Sequence, residues 1–186
     1  MADQSQFFWN DGTVQDPKRA YRWVLRNGNI PIYTLKKVTK PSFTVTETPH
    51  KYLNHTYYYP GRVEWNTITM TLADPVAPDA AAIVTKMIKE SGYSPATKAD
   101  DLQTMSKMSS VAALGSFVIA QLDHEGKDIE TWTLKNPWIK DVKYGELDYE
   151  SDDLTAIELE IRYDYASIET SAGDPKSYWV DGNAKK

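Results

Sequence analysis

Residues 154–165 read LTAIELEIRYDY. Ile157, Leu159, Ile161, Tyr163 and Tyr165 share one parity, and Glu158, Glu160, Arg162 and Asp164 share the other. A sustained period of 2 predicts a strand with one buried and one polar face. Upstream, 138–149 is a second strand pattern, joined to the first by Glu150-Ser151-Asp152-Asp153. The turn residues between two extended runs predict a β-hairpin over 138–165.

Working outward, the same grammar recurs. Residues 52–59 and 62–72 flank Pro60-Gly61, a strong turn signal. Within 62–72 the apolar parity slips from Val63 and Trp65 to Ile68, Met70 and Leu72, which predicts a bulge near Asn66. Further strands are expected at 20–26, closed by Asn27-Gly28-Asn29, and at 32–39, 43–48, 113–123 and 128–134. The last two flank the turn His124-Glu125-Gly126-Lys127, and Gly115 reads as a strand bulge. One helix stands out, because Ala80, Ile83, Val84, Met87, Ile88 and Ser91 fall on a single face. Pro78-Asp79 starts it and Gly92 stops it. Residues 93–110 form a polar loop, with or without one short helix, long enough to suggest an interaction element. The fold class is therefore mainly β with one flanking α-helix, an antiparallel sandwich or barrel. An N-terminal extension (1–15) and a C-terminal tail (170–186) bracket a domain at 16–169. Within the tail, Tyr178-Trp179-Val180 is apolar enough to dock on the body.

Composition narrows the function. The 186 residues include no cysteine, which excludes a disulfide framework, a thiolate nucleophile and a Cys-ligated zinc. No apolar run approaches the roughly 20 residues of a membrane-spanning helix, so no membrane anchor is expected. The opening MADQSQFFWNDG has no basic segment followed by an apolar one and is not read as a secretory signal. The net charge of −5 argues against neutralising nucleic-acid phosphates over the whole surface. That sum hides a division: residues 1–100 carry 12 Lys/Arg and 9 Asp/Glu, net +3, which leaves 9 and 17, net −8, for 101–186. The acidic excess is densest at Glu146, Asp148, Glu150, Asp152, Asp153, Glu158, Glu160 and Asp164. Opposite halves could face each other between identical copies.

Catalytic chemistry is not legible. His50, His55 and His124 have no metal-ligand spacing, and Asp123-His124-Glu125 reads as a solvated turn. There is no G-x-S-x-G elbow, no phosphate-binding loop and no dinucleotide fingerprint. Glu158 and Glu160 lie roughly 7 Å apart on a strand face, which fits glycosidase carboxylates. A wet acidic strand gives the same spacing by default. No enzyme activity and no cofactor are expected. Asn54-His55-Thr56 fits a glycosylation acceptor, silent without secretion. Tyr57-Tyr58-Tyr59 has a single cationic neighbour, Arg62, so packing or an interface suits it better than base stacking. A β-rich domain with many strand edges must cover or pair them. Head-to-tail contact between copies closes rings, and rings can stack into tubes.

The stretches YYYPGRVEWNTITMTLADP (57–75) and WTLKNPWIKDVKYGELDYESDDLTAIELEIRYDY (132–165), with PKRAYRW at 17–23, resemble the tail tube proteins of contractile-tailed bacteriophages and their baseplate tube initiators. The resemblance covers about residues 16–169. It implies six-membered rings with a continuous inner β-barrel, stacked into a tube with an electronegative lumen that conducts DNA. By position, the four inner strands are expected from 52–72 and 138–165. Thr67, Thr69, Thr71, Glu158, Glu160, Arg162 and Asp164 are expected to face the lumen. Glu47, His50, Tyr52, Tyr57, Tyr58 and Tyr59 are expected to contact the neighbouring subunit or ring. The implied partners are further copies of the chain, the sheath protein, the tube initiator, the tape measure protein and passing phage DNA, all within the virion. A tube initiator or a secretion-system tube protein is the alternative, and a small-ligand β-barrel is a more distant one.

Overall fold

The computed structural model describes residues 17–98, 101–171 and 176–180; the expected N-terminal extension lies outside them. Two antiparallel sheets enclose the core. The first has the order β1 (Trp23–Arg26), β6 (Phe117–Leu122), β7 (Asp128–Lys135), β10 (Tyr165–Thr170), β11 (Lys176–Tyr178). The second has the order β2 (Leu35–Val38), β5 (Ile68–Ala73), β9 (Ala156–Arg162), β8 (Trp138–Lys143). A separate ribbon pairs β3 (Phe43–Tyr52) with β4 (His55–Trp65). No sheet closes on itself within one chain, so the sandwich reading applies.

The alternation seen in the sequence decides which face of the four-stranded sheet is buried. Ile68, Met70 and Leu72 of β5 lie directly opposite Ile161, Leu159 and Ile157 of β9. All six are essentially without solvent contact. They meet Leu25, Phe117, Ile119, Leu134 and Ala166 of the five-stranded sheet in one core cluster. Each such side chain contributes about 1.5–3 kcal/mol by leaving water.

Helix α1 (Ala80–Glu90) covers this core with Ala80, Val84 and Met87. Its start is doubly capped. Asp79 accepts a hydrogen bond from the backbone N–H of Ala82 (2.9 Å), and Asp74 accepts from those of Ala80 and Ala81 (3.2 and 3.3 Å). Gly92 follows with φ of 100°, the left-handed stop that glycine adopts without strain.

Four expectations are corrected. The run 154–165 is two strands in two sheets: β9 ends at Arg162 and β10 starts at Tyr165. Between them the Asp164 N–H bonds the Lys135 carbonyl (3.0 Å), and its carboxylate takes Lys107 and Asn136. Pro60-Gly61 is not a turn but the interior of β4; the chain reverses at Leu53-Asn54, where Leu53 has φ of 51°. The parity slip near Asn66 is a complete break between β4 and β5 rather than a bulge. Among the described residues, the flanking helix is joined by the short second helix that the 93–110 loop allowed for, and the fourth correction concerns its end. Residues Lys107–Leu114 form α2, capped by the Ser106 hydroxyl, and Gly115 (φ 74°) ends it instead of bulging a strand.

Candidate assembly surfaces

The outer face of the four-stranded sheet carries the side chains opposite in parity to the core. Register places Thr69 across from Glu160, Thr71 across from Glu158, and Lys37 across from Thr71. On the far side, β8 sets Lys143 opposite Glu158 and Asp141 opposite Glu160. Thr67, in the break before β5, donates its hydroxyl to Glu160 (2.6 Å). Arg162 is next on β9 at the same parity and is exposed. The polar residues singled out in the sequence thus share one surface, except Asp164. That residue sits in the passage between the sheets and is tied to α2 through Lys107 (2.7 Å).

What the sequence did not reveal is the counter-charge. Lys140 donates to Glu160 (2.9 Å) and Lys143 to Glu158 (3.2 Å). The Thr67 hydroxyl and then Lys140 hold the Glu160 carboxyl below its ordinary range, and the bond to Glu158 raises Lys143. Lys140 and Lys143 lie 20 and 15 residues upstream of their partners, and the β8–β9 pairing brings them together. The acidic half of the chain therefore does not present bare carboxylates here. It presents interlaced ion pairs.

Among the described residues, this sheet also has two free edges, β2 and β8. Because all three of its pairings are antiparallel, β2 and β8 run in opposite directions. The β2 edge of one copy can therefore meet the β8 edge of a rotated copy in the same antiparallel sense. Contact of that kind is heterologous and repeats around a ring.

The β3–β4 ribbon is the second surface. All ten residues of β3 and all but Thr56 and Trp65 of β4 are exposed. Cross-strand pairs Thr48–Tyr59, His50–Tyr57 and Tyr52–His55 put five aromatic rings on one face. Glu47 and Tyr58 point to the other face with Pro49 and Pro60. His55 and Tyr57 meet edge to face at 4.6 Å, and His50 and Tyr59 at 6.5 Å. A register shift between Val45 and Glu47 marks a bulge. There the Thr46 hydroxyl accepts from the Arg62 N–H (2.8 Å) and donates to the Arg62 carbonyl (3.2 Å). A side chain at position 61 would collide with the Thr46 hydroxyl, which explains the glycine.

The root of the ribbon is clamped by aromatics. Trp65 stacks edge-on against Phe43 (5.3 Å) and Trp179 (5.6 Å) and lies 5.9 Å from Tyr163. Trp179 follows β11, so the Tyr178-Trp179-Val180 segment does dock on the body. Elsewhere, Glu130 on β7 takes Lys18, Lys40 (2.5 Å) and the Trp132 indole N–H (2.6 Å). Burial alone would raise this carboxyl, but those donors reverse the effect and bring it to about 2.

Among the described residues, no three His, Asp or Glu side chains converge at metal-binding distance. The Asp123 carboxylate accepts the N–H groups of Glu125 and Lys127 (2.8 Å each), as a turn residue does. No helix is long and apolar enough to cross a membrane, among the described residues.

No protein-family model and no curated protein sequence matches the chain. Solved structures do. A chain from the cryo-EM structure of the anti-feeding prophage cap, a tube-terminating cap, superposes with TM-score 0.63 at 15% identity, covering 89% of this chain and 99% of that one. A chain from the anti-feeding prophage baseplate gives 0.59 at 17% identity, covering 83% and 96%. One from the sheath–tube complex of the extracellular contractile injection system PVC gives 0.58 at 16% identity, covering 85% and 95%. The protein therefore has a contractile tail tube-type fold, shared with chains of the tube, cap and baseplate assemblies of contractile injection systems.

Proposed function

We propose that the protein is a structural subunit of a contractile tail tube, with six copies closing a ring and rings stacking into a hollow conduit. The observation that carries this reading is the four-stranded sheet with one apolar face, one polar face and two free edges of opposite direction. Pairing β2 of each copy with β8 of the next removes every edge of that sheet, which an exposed monomer would leave open to aggregation. The inner barrel then comprises β2, β5, β9 and β8. Of the region 52–72, only β5 contributes, and β2 takes the fourth place.

In this ring the polar face lines the channel. Its glutamates are paired with Lys140 and Lys143, so those two lysines are not free to release counterions from a polyanion, and Lys37 and Arg162 are the further cations of the wall. DNA passes without being held. The β3–β4 ribbon reaches the adjacent ring and buries its tyrosines there. An isolated two-stranded ribbon is marginal in water and gains stability from such a partner. The sheath protein lies outside, and a tube initiator and a tape measure protein meet the tube at its base and in its lumen, all within the virion.

The test is electron microscopy of the purified protein over a range of concentrations and salt. Annular particles or hollow filaments support the reading. Monomers under every condition overturn it.

A further inference from the structure

We infer that the loop between β8 and β9 is an acidic plug that seats in a cleft beside β2 of the next copy, and so sets the direction of ring growth. The inference rests on the ring reading above and names the contact that reading leaves open. The loop, 144–155, carries Glu146, Asp148, Glu150, Asp152 and Asp153. Interspersed with these acids are Tyr144, Leu147, Tyr149 and Leu154, all exposed, with Leu147 at 90%. The loop is held to its own chain only at its two ends, by Tyr144 against the Thr85 hydroxyl (2.8 Å) and by the Leu154 carbonyl accepting from Lys36 (3.4 Å); between them, exposed apolar side chains alternating with carboxylates form half of an interface.

The other half lies at the opposite edge of the same sheet. A cleft of about 510 Å³ is lined by Tyr21, Trp23, Leu25, Ile32, Leu35 and Lys36. Tyr21, Ile32 and the adjacent Tyr33 are exposed apolar surface. Lys36 on β2 supplies positive charge, and the Arg22 guanidinium lies 5.7 Å from the Tyr21 ring centre. The net +3 of residues 1–100 and the net −8 of residues 101–186 thus have a local expression: a basic cleft and an acidic loop.

Strand direction brings the two together. Leu35 pairs with Leu72, Leu72 with Ile157, and Glu158 with Lys143. The start of β2 and the end of β8 are therefore at the same end of the sheet. When β8 of one copy lies antiparallel against β2 of the next, the chain leaving Lys143 emerges beside Ile32–Leu35. A second copy brings the middle of its loop, Glu146 to Tyr149, to that cleft through the β2–β8 pairing.

The absence of cysteine makes the contact directly testable. The double variant Ile32→Cys with Leu147→Cys, oxidised at ring-forming concentration, is expected to give a ladder of linked chains on a non-reducing gel, ending at the ring mass. Triple reversal (Glu146→Lys, Asp148→Lys, Glu150→Lys) is expected to raise the concentration needed for rings at least tenfold. Adding Lys36→Glu to that triple variant is expected to recover part of the loss. All these positions are exposed, and circular dichroism of the monomers confirms the fold. Rings that form without any intermolecular cross-link, or a disulfide closed within one chain, overturn the plug and leave the tube reading standing. If the unmodified protein forms no rings at all, both fall.

Discussion

The four-stranded sheet and the β3–β4 ribbon are written in the same alphabet of alternating residues, yet they meet opposite fates. In β5 and β9 every second side chain is fully enclosed. In β3 none is, although the ribbon holds more aromatic surface than either. The difference lies in what covers the apolar face. Ile68, Leu72, Ile157 and Ile161 find their partners inside the chain, in the other sheet and in α1. Tyr52, Tyr57 and Tyr59 have only each other and two histidines. The sheet is therefore a folding element, and the ribbon is an exposed surface that the proposed tube would bury against the adjacent ring. Substitutions in the two should separate stability from assembly.

The largest effect is expected in the sheet. Ile161→Asp places an unpaired charge at a site with no solvent contact, and should cost about 4 kcal/mol or more, read as loss of the cooperative unfolding transition. Next is Glu130→Gln, which leaves Lys18 and Lys40 without their shared carboxylate and should cost about 2 kcal/mol at neutral pH. The sign with pH follows from a folded carboxyl near 2, below its ordinary value of 4.5. Its stabilisation is complete above the ordinary value and fades as pH falls toward 2. Urea midpoints from pH 6 to 2 should therefore fall more steeply for the parent than for the Gln variant.

Smaller again is Glu158→Lys with Glu160→Lys. Both sites are solvent-accessible, so losing their lysine partners should leave the monomer's urea midpoint almost unchanged. The same change lays extra cations along the proposed channel and should slow DNA passage, with the delay shrinking as salt rises. Smallest for the monomer is Tyr57→Ser with Tyr59→Ser, within about 0.5 kcal/mol at exposed sites. Its consequence should appear in assembly alone, as intact rings that no longer stack. If that variant unfolds the monomer instead, the ribbon belongs to the folding unit and the contrast fails.

The sheet was legible because its period of 2 coincides with burial. Ile157, Leu159 and Ile161 could be assigned to the core from spacing alone. The switch at Tyr163-Asp164 was not legible, because in the sequence the period of 2 runs on through Tyr165, while in the structure the backbone passes to the other sheet and Ala166 takes the core position. Tyr163 stays buried on the same parity, and only the bond from Asp164 N–H to Lys135 marks the break. Pro60-Gly61 misled for a different reason. A two-stranded ribbon has open edges, so a proline without an N–H and a glycine facing Thr46 fit inside it. The neutralising lysines were invisible because Lys140 and Lys143 reach Glu160 and Glu158 only through strand pairing. Likewise β2 was foreseen as a strand, but nothing local foretells that it borders β5 and leaves an edge opposite β8.

The central claim is that those two edges pair between copies. Cryo-EM class averages of the purified protein, taken at rising concentration, test it most directly. The expected result is a closed ring whose inner wall is a continuous antiparallel barrel, with β2 of each copy hydrogen-bonded to β8 of the next. A ring held together by other surfaces, with β2 and β8 left unpaired, or particles that remain monomeric at every concentration, would contradict it.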